Sequence, residues 1–332
     1  MSKNISLSAL DLSIVAAGGN HKTAIERTVD IAQYIEDIGY QRIWLAEHHN
    51  MEYIASSATS ILIGHVAQAT KNIRVGSGGI MLPNHSPLAI AEQFGTLGTL
   101  YPNRIDLGLG RAPGTDGKTA LALRGENYRN FYDFEANILQ LQSYFENNST
   151  ITPVRAFPGE GVDIPIYILG SSTDSAHLSA KLGLPYAFAG HFAPQQLKQA
   201  ATIYRQEFRP SKYLQEPHFM VCVNAVLSDS DAHSAFLSTS LFQTFIGVIT
   251  NQRKPLQPPV QSMDGLWSDE IKYMVESMLA CTFIGTKESI VPSLKNFIEV
   301  LQVDELIINS TLFSNEDRKK SYLLMKESVE SL

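Results

Sequence analysis

This sequence predicts an α/β fold of the (β/α)8 or TIM-barrel class, and three observations carry that prediction. Short apolar runs alternate with longer stretches whose apolar residues recur at helical spacing. The runs are almost continuously apolar, as in a parallel sheet whose outer face is covered by helices. Glycines and polar side chains gather just after the runs, at the rim where such barrels carry their chemistry. The expectation is one domain over residues 1–332, with a long loop insertion between strands seven and eight.

Leu7–Val15 (LSALDLSIV) reads as the first strand. A helix over Thr23–Ile38 follows, with Ile25, Val29, Ile31, Ala32, Ile35 and Ile38 at helical spacing and Gly39 as its stop. Strand two is Arg42–His48, followed by a helix over Ser57–Thr70. Strand three is Ile73–Leu82, with a helix over Leu88–Tyr101. Strand four, Arg104–Leu109, leads through a long polar loop to an amphipathic helix at Phe131–Glu146. Strand five is Pro165–Leu169 and its helix runs from Asp174 to Gly183; strand six is Tyr186–Ala189, with a helix over Gln195–Phe208. Strand seven is Phe219–Leu227 (FMVCVNAVL), followed by helices on either side of a Pro-rich interruption. Strand eight is Glu305–Asn309, and Glu316–Val329 is the last helix.

Two connections exceed ordinary loop length: 111–130, and 250–269 (TNQRKPLQPPVQSMDGLWSD) with three prolines and Trp267. Such loops are lids or solvated excursions.

Composition narrows the function. With 44% hydrophobic residues the chain can bury a large core, and a net charge of −7 without a basic run argues against nucleic-acid or anionic-membrane surfaces. Cys222 and Cys281 match no thiol or zinc spacing. The start, MSKNISLSAL, lacks a signal-peptide core, and no apolar run reads as a membrane span, so a soluble cytoplasmic protein is expected.

The chemistry-bearing residues follow strand ends. After strand two stand Glu47, His48, His49 and Asn50. Adjacent strand residues point to opposite faces, so His48 and His49 do not readily grip one ion, and no His-x-His spacing helps. A metal site would need His85 or His191 to converge from other strands, and none is expected. A proton-transferring His48, held by Glu47 or Asn50, is the more economical reading; a hydrogen-bonded structural histidine remains the alternative for one of the pair.

In YILGSSTDSAHL, Gly170 permits a sharp turn, and Ser171, Ser172 and Ser175 open a helix whose free N–H groups suit a phosphate. An ordinary cap by Ser172 or Asp174 is the competing reading. Arg111, after strand four, neighbours that turn in a barrel and would complete a phosphate clamp. GLGRAPG is a poor dinucleotide fingerprint, because Ala112-Pro113-Gly114 does not open a helix. Gly78-Gly79 in VGSGGIML either bares backbone for a flat ring or marks a β-bulge.

With these residues assembled, the chain resembles the bacterial luciferase-like flavin-dependent monooxygenase family, nearest its single-chain oxidoreductase branch. The matching strings are LSALDLSIVAAGG, WLAEHHN, ASSATSILIGHVA, VGSGGIMLPNHSPLAIAEQFGTL, YPNRIDLGLGRAPGTD, LGSS, GLPYAFAGHF and FIGTKESI. The resemblance implies a barrel that binds reduced FMN and adds oxygen at the flavin. It implies His48 as the catalytic histidine, with Glu47 and His49 orienting it, and a non-prolyl cis peptide at Gly78-Gly79 under the ring. Arg111, Leu169, Gly170, Ser171, Ser172 and Ser175 fall at the FMN and phosphate positions, and the Pro-rich segment before Trp267 at the mobile loop. It implies a two-component enzyme with a separate flavin reductase as transient partner, a small organic substrate with O2, and a homodimer. Luciferase proper has a cysteine just before the phosphate arginine, where this chain has Gly110, so light emission is not implied. Two other readings stay open: hydride transfer with a deazaflavin, and flavin binding without catalysis.

Overall fold

The structure is a computed structural model that describes residues 5–112, 114–125, 132–147 and 153–332. Nine strands form one sheet: β1 (Ser6–Asp11), β2 (Arg42–Leu45), β3 (Arg74–Met81), β4 (Ile105–Gly110), β5 (Ile166–Gly170), β6 (Tyr186–Phe188), β7 (Phe219–Leu227), β8 (Thr282–Gly285) and β9 (Glu305–Asn309). Neighbours from β1 to β7 pair in parallel, β7 pairs β9, and β9 pairs β1, which closes an eight-stranded TIM barrel. The predicted class and all eight predicted strands are therefore present.

Around the barrel stand α1 (His21–Asp37), α2 (Thr59–Ala69), α3 (Pro87–Leu100), α4 (Gly117–Arg124), α5 (Phe134–Phe145), α6 (Thr173–Leu182), α7 (Leu197–Glu207), α8 (Asp231–Ile249), α9 (Asp269–Met278), α10 (Lys287–Leu301) and α11 (Asn315–Glu330). Strand side chains alternate between two cores. Ile43, Leu45, Val75, Ile105 and Leu107 pack outward against Ile31, Ile35, Ile63 and Phe94 of the helices. Leu10, Trp44, Tyr167, Met220 and Ile307 fill the barrel interior.

Below that apolar layer lies a buried ion network. The Arg42 guanidinium is 2.9 Å from Asp106 and 2.9 Å from Glu305, and it donates to the Tyr167 hydroxyl at 2.6 Å. Arg74 donates to Asp106, His218 lies 3.0 Å from Glu305, and the Ser8 hydroxyl donates to Glu305. Buried charges are tolerable only when paired in this way.

Four elements differ from the sequence expectation. The first strand ends at Asp11, because its carboxylate accepts the Ser13 N–H at 2.6 Å and Ser13 takes φ 50. Part of the predicted 111–130 loop is α4, whose N-cap Asp116 accepts from Lys118 and Thr119; residues 126–131, including the predicted helix start at Phe131, lie outside the described residues. The extra strand, β8, pairs with only the last residues of β7, Asn224–Leu227. Helix α8 is long and apolar enough by length and composition to cross a membrane, against the expectation of no such run. Here it packs Leu237, Leu241 and Phe245 against Val226, Val275 and Leu279.

Candidate active site

The end of β2 delivers AEHHN to the rim, and its carboxylate is an anchor. Glu47 is 1% exposed, and its Oε1 takes hydrogen bonds from His49 Nε2 at 2.7 Å and His85 Nε2 at 2.9 Å. Its Oε2 accepts the Met81 N–H at 3.0 Å, tying the end of β2 to the end of β3. Burial alone would raise the Glu47 pKa, but the bonds from His49, His85 and Met81 outweigh it and hold the carboxyl at about 2. This corrects one expectation: Glu47 orients His49 and His85, not His48. Asn50 is also engaged elsewhere, donating to Asp116 at 3.3 Å.

His85 does converge from another strand. The donor atoms of Glu47, His49 and His85 lie within 4.8 Å of one another, the ligand types of a divalent-metal site. The argument from adjacent His48 and His49 did not anticipate this set. The two imidazoles share one carboxylate oxygen, so mutual hydrogen bonds already satisfy the cluster.

His48 turns the other way. Its Nδ1 is shut off from solvent and has no hydrogen-bond partner among the described residues. Burial lowers its pKa to about 4, helped by the positive charge of Arg253 and opposed by Glu47. His191, just after β6, is in the same condition: its Nδ1 is shielded and unpartnered, and burial with the neighbouring His48 lowers it to about 3. Both imidazoles are neutral at pH 7. The His191 carbonyl accepts from Asn224 Nδ2 at 2.7 Å, and Asn309 Nδ2 donates to Asn224 Oδ1 at 2.8 Å. Asn224 and Asn309 lie directly opposite each other on β7 and β9. His191 was noticed in the sequence only as a strand-end histidine; no linear signal joined it to His48.

The Gly78-Gly79 peptide is cis, as the resemblance implied. The register of β3 against β4 shifts between Ser77 and Ile80, so the bulge reading also holds. A Cβ on Gly78 would stand 2.9 Å from Leu10 Cδ1 and Trp44 Cβ, and one on Gly79 would stand 2.7 Å from the Gly108 carbonyl oxygen and 3.2 Å from Leu169 Cδ2. Close packing of β1, β2, β4 and β5 therefore demands these glycines, whatever lies above them.

The phosphate candidates do come together. Arg111 follows β4, and its Nη2 reaches Asp174 Oδ2 in the first turn of α6 at 3.0 Å. The N-cap Ser172 makes no side-chain cap bond, so the capping reading of that serine fails; only the Thr173 N–H finds a side chain, Gln196 Oε1 at 3.0 Å. Ser175 is turned inward, donating to the Ser172 carbonyl at 2.8 Å and lying 3.1 Å from the Tyr186 hydroxyl. A Cβ on Gly170 would collide with Ser175, so glycine is needed there for close approach. Ser171 and Ser172 are partly exposed beside Arg111's partner.

The 250–269 segment is held to α8, where the Val260 N–H donates to Thr239 Oγ1 at 2.8 Å and Gln243 Nε2 donates to the Pro258 carbonyl at 3.0 Å, and to the chain just after β1. The Leu256 N–H donates to the Val15 carbonyl at 2.8 Å, and the Ala17 N–H donates to the Leu256 carbonyl at 2.9 Å. This brings Arg253 over the rim, where its Nη1 lies 3.5 Å from Met51 Sδ.

A model of the luciferase-like monooxygenases matches residues 7–297. The chain belongs to that family. A luciferase-like monooxygenase of Escherichia coli (strain K12) is 44% identical over 99% of this chain and 98% of its own. An N-acetyl-S-alkylcysteine monooxygenase of Bacillus subtilis (strain 168) is 29% identical over 98% of each. The crystal structure of apo-MsnO8 superposes with a TM-score of 0.92 at 31% identity, covering 98% of both chains. More distant solved structures share the fold alone, among them an FMN complex of a type II Baeyer–Villiger monooxygenase (13%, TM-score 0.73) and an F420-dependent secondary alcohol dehydrogenase (14%, TM-score 0.68).

Proposed function

We propose that this luciferase-like monooxygenase uses reduced FMN, delivered by a separate flavin reductase, to insert one oxygen atom of O2 into a small organic substrate. The observation that carries the reading is the pairing, on one rim, of a shielded neutral imidazole with a helix start beside Arg111 whose N-cap serine makes no side-chain bond. The residues fit the cofactor. A phosphate dianion suits the α6 N–H groups and the guanidinium, and it would take the place of Asp174. That exchange is easy, because the Arg111–Asp174 pair is more than half exposed and such pairs contribute about 0–1 kcal/mol. Reduced FMN would supply the electrons that activate O2.

The chain's own residues do the rest. Arg111 and α6 hold the phosphate, and the packed Gly78–Gly79 and Leu169 surface supports the ring. His48, neutral at pH 7, takes up or returns a proton at Nδ1, which has no hydrogen-bond partner among the described residues.

The test is His48→Ala. Retention of FMN should stay within about threefold, while product formation with a reductase and O2 should fall roughly 10²–10⁴-fold, the usual size of a general acid–base contribution. Undiminished turnover would remove His48 from the chemistry. Failure of the wild-type chain to retain FMN in either redox state, or retention of a deazaflavin in its place, would replace the cofactor.

A further inference from the structure

We propose that Glu47, His49 and His85 form a binding site for a divalent transition-metal cation of the zinc type, clamping the end of β2 to the turn after β3. The site is independent of the cofactor reading above, in which none of these three side chains holds FMN or moves a proton.

The chain brings the three groups together by two simple devices. In extended chain, side chains two apart share a face, so Glu47 and His49 point the same way and His48 the other. The short turn Leu82–Asn84 after β3, closed by the His85 N–H on the Leu82 carbonyl at 3.0 Å, then brings His85 back towards β2. His49 Nε2 and His85 Nε2 stand 2.7 Å and 2.9 Å from the same Glu47 oxygen. The donor atoms of all three groups lie within 4.8 Å of one another.

Two imidazoles and one carboxylate are donors that zinc takes, with a fourth position left to water. Zinc–ligand bonds of about 2.0–2.2 Å at tetrahedral angles put neighbouring donors about 3.3 Å apart. Each ring therefore needs to draw back from its hydrogen-bonded position by only about half an ångström. Both have room to do so. The His49 side chain is 15% exposed and that of His85 27%, so a cation reaches Glu47 from the solvent side, past the rings.

The groups behind the donors are fixed. The Met81 N–H holds the second Glu47 oxygen at 3.0 Å, and the Thr115 hydroxyl donates to the His49 carbonyl at 3.0 Å. Such outer partners orient metal ligands and set their affinity. A surface pair shows the contrast. His177 lies 2.6 Å from Glu207, but both are about half exposed and no third donor joins them among the described residues. A cation at Glu47 would join β2 to β3 just beyond Gly78–Gly79 and stiffen the rim between them.

The test is calorimetric titration of the full chain, freed of metal with a chelator, using zinc chloride and then cobalt chloride as a spectroscopic stand-in. One zinc per chain should bind with a Kd of about 10 µM or tighter. Cobalt should give the visible absorption of a four-coordinate ion, and zinc should raise Tm, because it binds the folded arrangement. His85→Gln and His49→Gln, which each keep a hydrogen-bond donor for Glu47, should each weaken zinc binding by about tenfold or more. His177→Gln should leave it unchanged. Anomalous diffraction at the zinc edge, from wild-type crystals soaked in the ion, locates the metal whether or not the variants fold. The peak should lie about 2 Å from His49 Nε2 and His85 Nε2. The proposal is overturned if no zinc binds below about 1 mM, if both Gln variants bind as tightly as wild type, or if the peak falls elsewhere, such as at His177.

Discussion

The two ends of this barrel treat buried polarity in opposite ways. At the lower end Arg42, Asp106, Glu305, Arg74, His218 and Ser8 are bonded to one another, and every charge faces its opposite. At the upper end Glu47 is equally well satisfied, yet His48 and His191 keep nitrogens that no group among the described residues meets. Hydrogen bonds closed on themselves serve stability; those left open serve a visitor. The two layers are separated by Trp44, Tyr167 and Met220, so a change in one is not passed electrostatically to the other at full strength.

The largest effect should come from breaking the closed end. Glu305→Ala leaves Arg42 with one of its two carboxylate partners in a buried place, and removal of one member of a buried pair costs about 3–5 kcal/mol. Urea unfolding measures it. A loss below about 1 kcal/mol would show that water enters the lower end and that the contrast between the ends is weaker than drawn.

Next comes Gly79→Ala. The new Cβ would press on the Gly108 carbonyl oxygen at 2.7 Å, where backbone must move, and overpacking of this kind costs about 1–3 kcal/mol. Unfolding and FMN retention should suffer together, since β3 and β4 carry both.

The open end should announce itself through pH. His48 and His191 have folded pKa values of about 4 and about 3, below the ordinary histidine value near 6.5. The unfolded chain therefore binds more protons in that window. Their contribution to stability is complete above about pH 6.5 and is lost as pH falls towards 4 and then 3. His48→Gln and His191→Gln should each flatten the stability curve between pH 6.5 and 4. Glu47, held at about 2, keeps its contribution until the pH drops below the ordinary carboxyl range. Identical curves for wild type and both variants would mean that the imidazoles are solvated.

The smallest effect belongs to Asp174→Asn. Its partner Arg111 is 55% exposed and Asp174 67%, so stability should move by less than about 0.5 kcal/mol. FMN retention should rise severalfold, because the guanidinium no longer has a competing anion. Unchanged retention would place the phosphate elsewhere.

The strands could be seen in the sequence because a parallel barrel demands near-continuous apolar runs, and IWL, IYIL and FMVCVNAVL have no other home. The fourth helix was hidden because TDGKTALALR opens on a glycine and carries little apolar stripe; only its Asp116 cap signalled it. β8 was hidden by its four residues, TFIG, which read equally as a helix lead-in. At the site, local strings placed Arg111 beside the serine turn, since strand order alone makes them neighbours. What could not be read was which histidine meets which carboxylate. Glu47 finds His85, and His48 finds His191, only once β2, β3 and β6 curve round a common axis.

One topological detail has a practical result. The ring of strands closes from β7 to β9, while β8 borders only the upper tip of β7, and α8 and α9 pack a small apolar cluster against Val226 of β7. The stretch that carries Arg253 is thus a cassette docked on a drum already complete without it. A change confined to that cassette would leave the closed ring of strands in place.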